Sequence, residues 1–131
     1  MRMNAAPPRR ILLISDSSDE REMYAESLHR EGFCTLQAST AAEAFRLASE
    51  RAPAAIVTDI RLAGEEDGLH LTERLKQNEY TREVPVVIVT GYVFKHDREA
   101  ATRAGCDVFV AKPCLPDALS RVVSSVIEER S

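Results

Sequence analysis

Four side chains in this sequence sit where they could act together. Asp16 follows the run Ile11-Leu12-Leu13-Ile14-Ser15. Asp59 follows Ala55-Ile56-Val57-Thr58, Thr90 closes Val84-Pro85-Val86-Val87-Ile88-Val89, and Lys112 follows Asp107-Val108-Phe109-Val110-Ala111. Taken singly, three have plain readings. Asp16 can start a helix, Thr90 can finish a strand, and Lys112 can be a solvated charge. Asp59 is harder to dismiss, because an ionisable group at the end of a buried strand is costly unless it is paired. As a set, they allow a specific chemistry. Two carboxylates at about 4–6 Å repel unless a cation lies between them. Hard oxygen ligands with open positions suit Mg²⁺, which takes one or two carboxylates and keeps its waters. A carboxylate beside such a metal can attack phosphorus to give an acyl phosphate. The transferring group then needs a cation, a hydrogen-bond donor and the metal around its oxygens, and Lys112, Thr90 and Mg²⁺ fill those roles.

The elements that must position these residues are legible from periodicity. The runs at 11–14, 33–36, 55–58, 84–89 and 107–111 are β-rich, and three are near-continuously apolar, the signature of strands buried on both faces. Helical segments alternate with them. Ser17 with Glu20 forms a capping box ahead of a helix through Glu31, with Met23, Ser27 and Leu28 expected to face inward and Gly32 to stop it. Thr40 with Glu43 repeats the box ahead of a helix closed by Pro53. Gly68 precedes a helix over 69–77, residues 97–103 form a weak one ending at Gly105, and Pro116 opens the last. The pattern predicts an α/β fold, (βα)5, with a doubly wound five-stranded parallel sheet and right-handed crossovers. In such sheets sites form at the carboxyl ends of the strands, where the four side chains lie.

Composition removes other classes. The chain has 131 residues, room for one domain, and a net charge of −4, which draws it to neither nucleic acid nor an anionic surface. No apolar run approaches the ~20 residues of a membrane span. Residues 1–9 read as a lead-in, expected to be disordered, and 10–129 as the domain. The lead-in has no signal-peptide core. Cys34, Cys106 and Cys114 are odd in number with no metal spacing, as expected for a reduced, cytoplasmic protein.

The ordered set of segments resembles the flavodoxin-like receiver domain of bacterial two-component response regulators. The resemblance rests on Ile11–Asp16, Ile56-Val57-Thr58-Asp59-Ile60-Arg61, Val87-Ile88-Val89-Thr90-Gly91 and Ala111-Lys112-Pro113. Glu31-Gly32-Phe33, Asp67-Gly68-Leu69 and Arg103-Ala104-Gly105-Cys106-Asp107 support it, and it runs from about residue 9 to 128. It implies that Asp59 is the phosphoacceptor and that one Mg²⁺ is held by Asp16, Asp59 and the main-chain carbonyl of Arg61. It implies that Thr90 and Lys112 contact the phosphoryl group, that a cis peptide precedes Pro113, and that Phe109 is the switch aromatic. The implied partners are a histidine kinase or phosphotransfer protein and a downstream protein target, with no direct contact to nucleic acid or membrane. A homodimer through the fourth helix, fifth strand and fifth helix is a further expectation. The chain is not expected to be an enzyme beyond self-catalysed aspartyl phosphorylation and dephosphorylation. With no room for an output module in these 131 residues, its expected output is its own surface.

The departures are informative. Ser15 stands where the family has the first acid of its pair, which predicts weak metal binding. It also motivates an alternative, a phosphorylation-independent interaction module. Ala63 replaces a usual proline, and the loop 64–68 adds Glu65 and Glu66, acids expected to lie close enough to tune the site. Gly91 replaces a common alanine and keeps phosphoryl access open. Arg61 and Tyr92 are expected to flank the pocket and set phosphoryl lifetime. Lys95, Arg98 and Arg103 are expected to form a solvated mixed-charge face. A phosphohydrolase of the haloacid-dehalogenase type would carry an Asp two residues after the nucleophile, where this chain has Arg61. Nucleotide binding is disfavoured because the first βα turn lacks glycine and carries Asp16.

Overall fold

A computed structural model describes residues 8–130, so most of the lead-in expected over 1–9 lies outside the described residues. Five strands, β1 (Arg10–Ile14), β2 (Cys34–Ala38), β3 (Ala55–Thr58), β4 (Val86–Thr90) and β5 (Val108–Ala111), alternate with five helices. These are α1 (Ser18–Arg30), α2 (Ala41–Arg51), α3 (Gly68–Gln77), α4 (Lys95–Ala104) and α5 (Pro116–Arg130). All strand pairs are parallel, in the order β2-β1-β3-β4-β5. The chain order reverses beside β1, which places a crevice between the carboxyl ends of β1 and β3.

Strand parity sorts the helices into two layers. Successive side chains alternate faces. Ile11, Leu13, Val57, Val87 and Val89 pack with Tyr24, Ala25 and Leu28 of α1 and Leu119, Val123 and Val126 of α5. Leu12, Ile14, Ile56, Val86 and Ile88 pack with Ala44 of α2, Leu71 and Leu75 of α3 and Ala101 of α4. The central strands are buried on both faces, which is why their sequences are apolar without alternation.

The helix boundaries follow the capping chemistry. Ser17 and Thr40 accept from the N–H groups of Glu20 and Glu43, and Asp67 accepts from that of His70. Gly32 and Gly105 take the left-handed conformation that ends α1 and α4, and Ala52 does so after α2. One inward assignment is corrected. Met23 is 44% exposed, while the adjacent Tyr24 is buried. The Tyr24 hydroxyl donates to the Cys114 carbonyl at 3.1 Å, which satisfies its polar end and leaves the ring free to pack.

Candidate active site at the strand ends

The sheet continues past its formal ends through main-chain hydrogen bonds that fix the site. Ser15 N–H donates to Ala38 O at 3.2 Å, Asp59 N–H to Ile14 O at 3.1 Å, and Lys112 N–H to Thr90 O at 2.9 Å. Asp59 continues the parity of Val57, and Lys112 that of Val108 and Val110. Both side chains are therefore delivered to the α1 side. Thr90 continues the parity of Val86 and Ile88, toward α3 and α4, the side on which Phe109 packs.

The Asp59 carboxylate is only 11% exposed and is aimed from both sides. Its Oδ1 accepts from Ile60 N–H at 2.7 Å and more weakly from Arg61 N–H at 3.4 Å. Its Oδ2 accepts from Lys112 Nζ at 2.5 Å. Lys112 Nζ also lies 2.6 Å from Glu20 Oε2, so one ammonium bridges two carboxylates. Burial alone would lower the lysine pKa, but the bonds to Asp59 and Glu20 outweigh it and raise the value above the ordinary one. The Lys112–Pro113 peptide is cis.

Thr90 is fully buried, and its Oγ1 accepts from Tyr92 N–H at 3.1 Å. The hydroxyl hydrogen is thereby left for another acceptor. Arg61 Nη2 donates to the Tyr92 hydroxyl, and the guanidinium stacks 5.4 Å from the Tyr92 ring centroid. The two flanking residues are thus joined to each other. Gly91 is open, and a Cβ there would meet nothing within 4 Å. Phe109 is half-buried with the Arg98 guanidinium 4.9 Å over its ring, so Arg98 belongs to that contact rather than to a wholly solvated face.

Ser15, Glu66 and Ala63 each have a defined partner. Ser15 is buried, its Oγ accepting from Ser17 N–H at 2.9 Å. Glu66 turns away from Asp59 to Arg74, at 2.7 and 3.0 Å, and to His70, at 2.9 Å. Bidentate pairing to Arg74 holds its carboxyl below the usual range, so it stabilises the start of α3 instead of tuning the site. Ala63 donates its N–H to Ser39 O at 3.0 Å, a bond a proline cannot make.

Two residues gain roles that no local pattern signals. Glu20 reaches Lys112 across the fold. Gly68 brings the first turn of α3 against the Asp59 backbone, its N–H donating to Ile60 O at 2.7 Å. A Cβ there would fall onto the Asp59 carbonyl oxygen.

The donor set fits a hard divalent cation. Asp16 is exposed at the end of β1, and its carboxylate makes no hydrogen bond or ion pair with a described residue. Asp59 is pre-aimed by main-chain N–H groups. Among the described residues no three His, Cys, Asp or Glu side chains are grouped as a cage. Two carboxylates with a carbonyl and waters suit Mg²⁺ better than a softer metal. The cavity beside Asp59, lined also by Ser15, Glu20 and Tyr24, is about 10 Å³, too small for an organic ligand.

The comparisons agree with this geometry. The model of the response regulator receiver domain matches residues 11–124. The chain is 30% identical over 106 residues to the polar-differentiation response regulator DivK of Brucella anthropi, covering 81% of this chain and 85% of that one. A putative response regulator from Chloroflexus aurantiacus superposes with a TM-score of 0.86 at 26% identity, over 92% of this chain and 98% of that one. The receiver domain of the sensor histidine kinase PA1611 from Pseudomonas aeruginosa has a TM-score of 0.83 at 27% identity, over 92% and 98% of the two chains. That structure has a magnesium ion coordinated in its active-site cleft. This chain belongs to the response regulator receiver domain family, the receivers of two-component signalling.

Proposed function

We propose that Asp59 is the phosphoacceptor of this receiver and that its phosphorylation switches a protein-binding surface. The observation that carries the reading is the pre-aimed Asp59 carboxylate held 2.5 Å from Lys112 at the end of a buried strand. The donor is the phosphohistidine of a histidine kinase or phosphotransfer protein. An Asp59 oxygen forms the new bond to phosphorus, the bond from phosphorus to the donor imidazole nitrogen breaks, and that nitrogen keeps the electron pair. Lys112 follows the new charge, pairing with a phosphoryl oxygen, and Thr90 donates its hydroxyl hydrogen to another. Asp16, Asp59 and the Arg61 carbonyl would hold Mg²⁺, which would neutralise part of the phosphoryl charge when bound.

Thr90 and Phe109 share one face of the sheet, so a pull on Thr90 has a neighbour to act on. Phe109 moves from under Arg98 and alters the surface of α4, β5 and α5. That surface is read by a downstream protein or a second copy of this chain. A cytoplasmic setting follows from such a kinase partner. The Arg61–Tyr92 pair restricts entry of attacking water and lengthens the phosphoryl lifetime.

Incubation with acetyl phosphate and Mg²⁺, read by intact mass, tests the reading. The phosphorylated species is expected for the wild type and absent in Asp59→Asn, and Arg61→Ala is expected to lose it faster. Absence of the species in the wild type, with a histidine kinase as donor as well, would sink the proposal.

A further inference from the structure

Glu20 does more than begin a helix. In a full capping box the acid three residues after the cap returns its side chain to the cap N–H. Here only half of the box forms. Glu20 N–H donates to Ser17 Oγ at 3.1 Å, but Ser17 N–H donates to Ser15 Oγ at 2.9 Å. The buried serine hydroxyl has taken the donor that Glu20 would otherwise satisfy. The Glu20 carboxylate is thereby released, and it lies 2.6 Å from Lys112 Nζ with only 20% of its side chain exposed.

We infer that Glu20 is a positioning residue of the acceptor site, delivering from the first turn of α1 the negative charge that the end of β1 lacks at Ser15. The inference rests on the phosphoacceptor reading. Three geometric facts support it. Glu20 and Asp59 contact the same nitrogen, so their oxygens are no farther apart than the two contacts together. Ser15, Glu20 and Asp59 line one cavity. Glu20 also shares the hold on Lys112, fixing the ammonium between two carboxylates rather than on Asp59 alone. The site therefore keeps the negative field a divalent cation needs, with its third acid supplied by the helix. The exchange is coupled, because the same hydroxyl that removes the strand-end charge frees the helix acid to replace it.

Mg²⁺ titration by calorimetry on the folded protein tests this, with melting curves as a check on each variant. Removing one charge at about 6 Å in a partly screened site is worth several-fold to tens-fold, so Glu20→Gln is expected to bind Mg²⁺ about ten-fold more weakly than the wild type. Ser15→Asp is expected to bind about ten-fold more tightly by the same estimate. The double variant Ser15→Asp with Glu20→Gln is expected to return to within about three-fold of the wild type on that estimate. A purely structural role for Glu20 would move the melting temperature and leave these affinities alone. Wild-type affinity in Glu20→Gln, or a double variant as weak as Glu20→Gln, overturns the inference while leaving the phosphoacceptor reading intact. No Mg²⁺ binding by the wild type overturns that reading and this inference with it.

Discussion

Gly68 offers a sharp test of how the fold holds Asp59. A methyl group added there would fall onto the carbonyl oxygen of Asp59, with Asp59 C at 3.0 Å and Ile60 Cα at 3.1 Å. Every one of those atoms is backbone, so no side-chain rotation relieves the overlap. Reaching an ordinary C···O separation of about 3.3 Å requires the first turn of α3 and the end of β3 to part by roughly 1 Å. The 2.7 Å bond from Gly68 N–H to Ile60 O opposes that movement. Overpacking of this kind costs about 1–3 kcal/mol. The better helix propensity of alanine returns at most about 1 kcal/mol, and less at a first-turn position. Gly68→Ala should therefore melt earlier by several degrees yet still fold, since a domain holds about 5–15 kcal/mol in reserve. The larger effect is chemical, because a misplacement of about 1 Å at a reacting group can cost on the order of 100-fold in rate. Phosphorylation by acetyl phosphate, followed by intact mass over time, should slow by about one to two orders of magnitude on that estimate. Gly91→Ala is the internal control. An added Cβ there meets nothing within 4 Å. It should match the wild type within about 0.5 kcal/mol. If Gly68→Ala melts and phosphorylates like Gly91→Ala, the close approach of α3 to Asp59 is wrong.

Two further outcomes follow from the same contacts. Lys112→Met leaves the Asp59 and Glu20 carboxylates facing each other without a cation, at 11% and 20% exposure. It should destabilise the domain by about 2–3 kcal/mol, with partial recovery on adding Glu20→Gln; equal stability of the single and double variants in urea melts counts against the shared-lysine geometry. Burial, and then the nearby Glu20, push the Tyr24 phenol from 10.0 up to about 12. A raised folded-state value means the phenol favours the folded state fully below pH 10 and loses that contribution as pH rises toward 12, where the unfolded chain ionises first. Tyr24→Phe should flatten that alkaline loss and cost about 1 kcal/mol at neutral pH for the bond to the Cys114 carbonyl. An unchanged alkaline limb in the variant would assign the loss to other groups.

Much of this protein was decided by local sequence. Apolar runs of strand length fixed the alternation of strands and helices, and continuous rather than alternating runs fixed a sheet covered on both faces. The positions of Asp16, Asp59, Thr90 and Lys112 at strand ends were legible because the strands themselves were. Caps at Ser17, Thr40 and Asp67 are interactions within three residues, and local interactions are written in local sequence.

Only the tertiary structure decided which of these groups meet. Strand parity sends Asp59 and Lys112 toward α1 and sends Thr90 and Phe109 toward α4, and that division needs the layers to be known. The Glu20–Lys112 contact joins α1 to the end of β5 across the crevice, and the Ser17–Glu20 capping pattern in the sequence gives no sign of it. Glu66 sits in sequence among the acids after Asp59, yet pairs with Arg74 in the second turn of α3, because the helix turns that side chain back toward the loop before it. Gly68 reads as a helix start, and its closeness to the Asp59 backbone appears only when α3 packs. Periodicity determines which elements form, since each is stabilised largely by its own residues. The site is made where several elements end together, and that junction exists only in the packed fold.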